Sequence, residues 1–167
     1  MNVFLTMDYE LFFGDPSGSP ERCMLDPTEK LMQLAQKHNI GITYFVDVGY
    51  LIQLKKHSTD YPELNGVYDK IVAQLHQLLE TGNDIQLHIH PHWEAASYDG
   101  FKWNMSIDGN YKLSDFNSEE IVAIVTSYKE ALEQIIDRKV HSFRAGGWCL
   151  QPFSLVKEVF KKVGIKY

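Results

Sequence analysis

Three histidines lie within five residues in the segment Leu87–Trp93, which runs Leu-His-Ile-His-Pro-His-Trp. An apolar run typical of a β-strand comes directly before them. Imidazole is the commonest protein ligand of zinc-like ions, and such sites need two or three ligands close together. Histidines can also be solvated in a loop or hydrogen-bonded in a core. The cluster by itself therefore leaves two interpretations open, a metal site and a purely structural role.

Strand and helix patterns alternate along the chain and must position these histidines. This order predicts right-handed βαβ units and a parallel sheet, either open and doubly wound or closed as a (β/α) barrel. We expect one domain over residues 1–167. Strands are predicted at 2–7, 41–46, 84–88 and 140–144, and helices at 26–38, 62–82, 117–136 and 152–163, with capping boxes at 26–29, 60–63 and 117–120. Residues 164–167 look like the opening of a fifth strand.

Polar residues capable of chemistry follow each predicted strand. In both architectures, ligands bind at the carboxyl ends of the strands, so these side chains should meet at one edge. One carboxylate together with two histidines is the ligand composition of hydrolytic zinc centres, in which a bound water becomes a nucleophile near neutral pH. A second carboxylate could serve as general base. The residues concerned are Asp8, Glu10, Asp47, His88, His92, Arg144 and Trp148.

Four segments together resemble the NodB-like polysaccharide deacetylases of carbohydrate esterase family 4. They are Thr6–Glu10, Thr43–Val46, Asp84–His88 with His92, and Ser142–Trp148. The resemblance covers nearly the whole chain. It implies an incomplete, distorted (β/α) barrel and metal-dependent hydrolysis of an N-acyl group from an amino sugar or saccharide.

The resemblance also implies a metal centre, with a divalent ion such as zinc. His88 and His92 would be its two histidine ligands. The family usually has adjacent acids in its first motif, but Tyr9 occupies the second place here. Glu10 is the nearest acid that can replace it as metal ligand, and a direct role for Asp8 on the metal stays open.

Catalytic and substrate-binding roles follow from the same resemblance. Asp8 would be the catalytic base, and Arg144 would orient it. His90 stands between the two predicted ligands, and the proline after it turns the backbone, so we expect it to face the substrate or to support the ligands. Trp93 and Trp148 are predicted to form an apolar wall for a sugar ring.

Composition excludes several other functions. The 167 residues carry a net charge of −6, so we expect no nucleic-acid partner. No apolar run is long enough to span a bilayer, and the N-terminus lacks the features of a signal peptide, so we expect a cytoplasmic protein. Because the sequence has only two cysteines, we expect no disulfide framework.

The resemblance places a general-acid histidine on a late strand, beyond the end of this sequence. We therefore expect the C-terminal strands of the domain to be missing. Two alternatives to a deacetylase remain. One is a non-catalytic carbohydrate-binding relative, and the other is a metal-dependent phosphoesterase or amidohydrolase that uses His88 and His90 as its ligand pair.

Overall fold

The computed structural model describes residues 2–12, 14 and 17–167. Its strands are β1 (Thr6–Tyr9), β2 (Thr43–Asp47), β3 (Asp84–Ile89), β4 (Ser97–Tyr98), β5 (Trp103–Asn104) and β6 (Phe143–Ala145). Its α-helices are α1 (Asp26–Lys37), α2 (Val48–His57), α3 (Glu63–Glu80), α4 (Ser118–Ile136) and α5 (Ser154–Val163). A π-helical turn (Glu21–Leu25) leads into α1, and 3₁₀ turns lie at Pro91–Ala95, Leu113–Asp115 and Gly146–Trp148.

Four of the strands form one parallel sheet in the order β1-β2-β3-β6. The sheet curls into a half-barrel with helices between the strands. This confirms the predicted parallel βα repeats and the incomplete, distorted barrel. Strands β4 and β5 form a separate antiparallel hairpin within the long segment that follows β3. Among the described residues, no helix has the length and apolar character needed to cross a membrane.

The register of the sheet separates an apolar face from a polar one. Tyr9 pairs with Val46, and Val46 pairs with Leu87. All three are fully buried in the core. One residue further along, Asp47 pairs with His88, and His88 pairs with Arg144. Because side chains alternate between the faces of a strand, this second row points to the opposite face of the sheet.

Buried polar side chains fasten the sheet to its helices. The Tyr9 hydroxyl donates to Gln74 Oε1 at 2.9 Å, and Gln74 Nε2 donates to the Leu25 carbonyl at 2.9 Å. These bonds tie β1 to α3 and to the start of α1. Each group is satisfied in a place where an unpaired polar atom would be costly.

Glu133 connects the end of α4 to the segment that enters β6. Its carboxylate accepts from Lys129, from Lys139 Nζ at 2.7 Å and from the Val140 backbone N–H at 3.0 Å. Although partial burial opposes ionisation, these hydrogen bonds lower the pKa of Glu133. One carboxylate thus holds the junction between two elements.

The structure contains one of the three predicted capping boxes, at the start of α4. Asn117 Oδ1 accepts from the N–H groups of Glu119 and Glu120 at 3.0 Å each, and Glu120 accepts from the Asn117 N–H at 2.8 Å. The boxes predicted from Asp26 and Asp60 are wrong. Helix α1 continues from the preceding π-helical turn, which already supplies carbonyl acceptors, and α3 follows Pro62 without a side-chain cap.

The last four residues pair with the chain next to β6 without forming a regular strand. The Phe143 N–H donates to the Tyr167 carbonyl at 2.8 Å, and the Lys166 N–H donates to the His141 carbonyl at 2.7 Å. Residues 164–167 therefore lie where the predicted fifth strand would lie, although they carry no strand assignment.

Candidate metal centre

Glu10, His88 and His90 bring three potential metal ligands together on the polar face of the sheet. Glu10 Oε2 lies 3.1 Å from His88 Nε2 and 2.7 Å from His90 Nε2. The two imidazole nitrogens are 3.1 Å apart. All the ligand atoms lie within 4.8 Å of one another. A carboxylate oxygen and two imidazole nitrogens form a donor set that fits a zinc-like ion.

A hydrogen bond to the backbone orients His88. Its Nδ1 lies 2.8 Å from the Arg144 carbonyl oxygen. A carbonyl only accepts, so Nδ1 must carry a hydrogen, and Nε2 is the nitrogen that faces Glu10 and can bind a metal when the ring is neutral. Metal-binding histidines are commonly fixed by such a bond from their other nitrogen. The pairing of β3 with β6 therefore prepares His88 as a ligand.

The charges in the cluster are strongly coupled. Burial opposes ionisation of Glu10, but its hydrogen bonds to His88 and His90 prevail and lower its pKa to about 2. Burial also opposes protonation of His88, yet the bond to Glu10 and the charge of Asp47 raise its pKa. The cluster thus favours positive charge at the point where the three ligand atoms meet.

The backbone path after β3 decides which histidines meet. His90 is still extended, with φ −107° and ψ 104°, and the 3₁₀ turn begins only at Pro91. His90 therefore stays on the same face as His88, two residues earlier. His92 lies inside the turn and is not in the three-ligand group found among the described residues.

His92 is fully buried behind His90. Its ring centroid lies 5.0 Å from that of His90 and 5.3 Å from that of Trp93. Burial, reinforced by the charge of His90, lowers the pKa of His92 to about 3. The ring is thus neutral near pH 7, as a metal ligand must be. The pairing of His88 with His92 as ligands stays a prediction.

The structure also brings Asp8 and Arg144 together across the sheet. Arg144 donates to Asp8 Oδ1 at 2.5 Å and to Thr6 Oγ1 at 2.5 Å. Its guanidinium lies over the Phe45 ring, 4.2 Å from the centroid. Three contacts therefore fix the arginine, and one of them orients Asp8.

The two tryptophans predicted to contact a sugar lie in very different places. Trp93 is fully buried, where its indole N–H donates to Asp47 Oδ2 at 2.5 Å and its carbonyl accepts from Gln53 Nε2 at 2.7 Å. Trp148 is 95% exposed. The structure thus places Trp93 in the core, and Trp148 is the one available at the surface.

Two glycines make room for the aromatic rings of this region. A Cβ at Gly146 would lie 2.5 Å from His90 Nδ1, and a Cβ at Gly49 would lie 2.6 Å from Trp93 Cδ1. Real Cβ contacts essentially never come so close. No sequence pattern indicates this requirement, because it arises from a close approach between distant segments.

Asp47 was recognised in the sequence only as a polar residue at a strand end. In the structure it is completely buried, at 0% exposure, in the same cross-strand row as His88 and Arg144. Its position at the carboxyl end of β2 was the available signal. Its hydrogen bond from the Trp93 indole joins two separate elements, which the sequence does not reveal.

A half-barrel of parallel strands, with carboxylate and imidazole groups at the strand ends, defines a (β/α)-barrel type of fold with its site at the carboxyl edge. The fold is that of the NodB-like deacetylases. It is similar to a mutant of BA3943, described as a CE4 family pseudoenzyme with restored enzymatic activity (TM-score 0.56, 12% identity). It is also similar to the peptidoglycan deacetylase PdaC from Bacillus subtilis (TM-score 0.53, 15% identity).

These similarities cover most of this chain but only part of the other two. The match spans 97% of this chain and 42% of the BA3943 chain, and 98% of this chain and 55% of the PdaC chain. This chain thus corresponds to about half the length of those proteins. No protein-family model and no curated protein matches the sequence.

Proposed function

We propose that this chain is a metal-dependent hydrolase that removes an N-acyl group, such as acetyl, from an amino sugar or saccharide. The observation that carries the proposal is the group formed by Glu10, His88 and His90 on the same face as the Asp8–Arg144 pair. The deacetylase fold supports it. The saccharide substrate is inferred from the similarity of the fold to PdaC, a peptidoglycan deacetylase.

Glu10 and His88 supply two ligands of the proposed metal, for which zinc suits the donor set. When bound, such an ion would polarise the acyl carbonyl and lower the pKa of a bound water. Two histidines compete for the third position. The geometry described here favours His90, and the family resemblance favours His92.

The residues beside this cluster would handle the proton. Asp8 accepts the proton of the attacking water as general base. Arg144 holds Asp8 in place, and its bond to Thr6 restricts its own movement. Because Arg144 is itself held, its bond orders Asp8 in advance and lowers the entropy that must be lost in the transition state.

An acetate-release assay tests the proposal. Wild-type chain is stripped of metal, reloaded with zinc and incubated with N-acetylglucosamine oligomers. We expect acetate release only from the zinc-loaded protein, and a rate lowered by about 10²–10⁴-fold in Asp8→Asn, since general-base catalysis contributes that range. The variant should still bind zinc. Release that is independent of zinc or of Asp8 would contradict the mechanism, and zinc binding with no release would support a non-catalytic saccharide-binding protein.

Two alanine variants decide the third ligand. Bound zinc is measured by mass spectrometry and titration in His90→Ala and His92→Ala. Loss of zinc in the first variant alone would establish the arrangement described here, and loss in the second alone would establish the pair predicted from the resemblance. Retention of zinc in both would show that neither histidine is a ligand.

A further inference from the structure

Asp47 is a buried carboxylate with too few partners for its charge. It has no exposed surface, and it ends β2 at the edge where the candidate metal ligands lie. Oδ2 accepts one hydrogen bond, from the Trp93 indole. Oδ1 has no hydrogen-bond partner within residues 2–12, 14 and 17–167. A buried carboxylate with a single neutral donor is costly unless a positive charge compensates it.

The position of Asp47 shows where that positive charge would be. Asp47 and His88 are register partners in adjacent strands, so their side chains leave the same face of the sheet. Burial raises the pKa of the Asp47 carboxyl and the charge of Glu10 adds to this, whereas His90, His88 and the hydrogen bond from Trp93 act in the opposite direction. Asp47 is not part of the group whose ligand atoms lie within 4.8 Å of one another, as far as the described residues show. It therefore acts beside the cluster and not as one of its three ligands.

The count of charges favours a divalent ion. Histidines that bind a metal are neutral, so Glu10 and an ionised Asp47 would together contribute two negative charges at this edge of the sheet. A single divalent cation balances both.

We propose that Asp47 is a positioning residue of the metal centre. Its carboxylate supplies the second negative charge there and accepts a hydrogen bond from the Trp93 indole. This rests on the proposed function, because it assumes a metal at Glu10 and His88. The alternative is that Asp47 serves only to anchor Trp93 in the core.

The substitution Asp47→Asn separates charge from packing. Asparagine keeps the shape and an oxygen acceptor for the Trp93 indole but removes the charge. Titration of the metal-stripped protein with zinc should give a Kd about 10–100-fold weaker than wild type, the range found when groups supporting metal ligands are removed. The melting temperature of the metal-free variant should be equal to or above that of wild type, because a buried charge has been removed.

A matched control removes the same charge elsewhere. Asp69 is exposed on α3, outside the sheet. We expect Asp69→Asn to leave the zinc Kd within about twofold of wild type, since solvent and salt screen exposed charges.

Trp93→Phe tests the reverse situation, in which the charge stays and the indole N–H is lost. The zinc Kd should change by less than about threefold while the melting temperature falls, because the buried charge loses its donor. If Asp47→Asn does not fold, Asp47→Ser removes the same charge and keeps a hydroxyl oxygen that can accept from the indole, and a zinc Kd equal to that of wild type in this variant would overturn the proposal.

Each outcome has a distinct meaning. An unchanged zinc Kd in Asp47→Asn, or an equal loss of affinity in Trp93→Phe, overturns the role of Asp47 while leaving the proposed function intact. Absence of zinc binding in wild type overturns both. Weaker binding in Asp47→Asn alone establishes the charge role.

Discussion

Gly146 controls the position of His90, and a single methyl group should disturb it. In Gly146→Ala the new Cβ would lie 2.5 Å from His90 Nδ1 and 2.6 Å from the Ile89 carbonyl oxygen. The carbonyl belongs to the backbone of β3 and cannot rotate away, so either the strand or the 3₁₀ turn must shift. Overpacking of this kind costs about 1–3 kcal/mol. For a domain of 167 residues, a cost of about 2 kcal/mol lowers the melting temperature by about 4–8 °C.

Thermal unfolding measured by circular dichroism, together with zinc titration, tests this prediction. The control is Gly66→Ala, since Gly66 lies in α3 and a Cβ there would meet no atom within 4 Å. That change should stabilise the helix by about 0.5–1 kcal/mol and raise the melting temperature by about 1–4 °C. Gly146→Ala should also weaken zinc binding. Equal melting temperatures for Gly146→Ala and wild type would refute the close packing of Gly146 against His90.

Three further predictions concern stability, pH and turnover. Glu133→Gln should lower the free energy of unfolding by about 1–3 kcal/mol, because several donors lose a charged acceptor. Lys139→Met, at an exposed position, should lower it by less than about 0.5 kcal/mol. Urea titration compares the two variants, and equal losses would contradict the role given to Glu133. His92 has a folded pKa of about 3, below its ordinary value of 6.5. As pH falls, the unfolded chain therefore binds the extra proton first, and the stability that this residue contributes is lost between about pH 6.5 and 3. In urea titrations, the free energy of unfolding of His92→Asn should decline less steeply over that window than that of wild type. The same pH dependence in both proteins would contradict this prediction. Arg144→Ala should lower kcat about 10²-fold, because Asp8 is no longer held in place. Zinc affinity should be unchanged, since Arg144 contacts a metal ligand only through its backbone carbonyl. Loss of zinc binding would contradict a purely orienting role for the Arg144 side chain.

The arrangement of elements could be predicted because it depends on local patterns and general topology. Alternating strand and helix patterns indicated the parallel sheet, and the rule that strand ends share one edge brought Asp8, Glu10, His88 and Arg144 to the same side. The capping box at Asn117 was visible because every partner lies within three residues. Helix α2 was missed because Val48, Tyr50, Leu51 and Leu54 are all buried, so the segment lacks a clear polar face.

The detailed geometry of the site could not be predicted in the same way. Sequence indicated that the proline after His90 would turn the chain, but not that His90 itself would remain extended. One residue of extended backbone decides which face a side chain occupies, and so whether His90 or His92 meets Glu10. The contact of the buried Asp47 with Trp93 likewise joins separate elements.

The most direct test of the metal centre is anomalous diffraction from crystals of the wild-type chain soaked in zinc. We expect one strong zinc peak at about 2.0–2.2 Å from a Glu10 carboxylate oxygen and from His88 Nε2, with a third protein ligand from His90 or His92. No peak at this position, or a zinc ion bound without Glu10 and His88, would contradict the account.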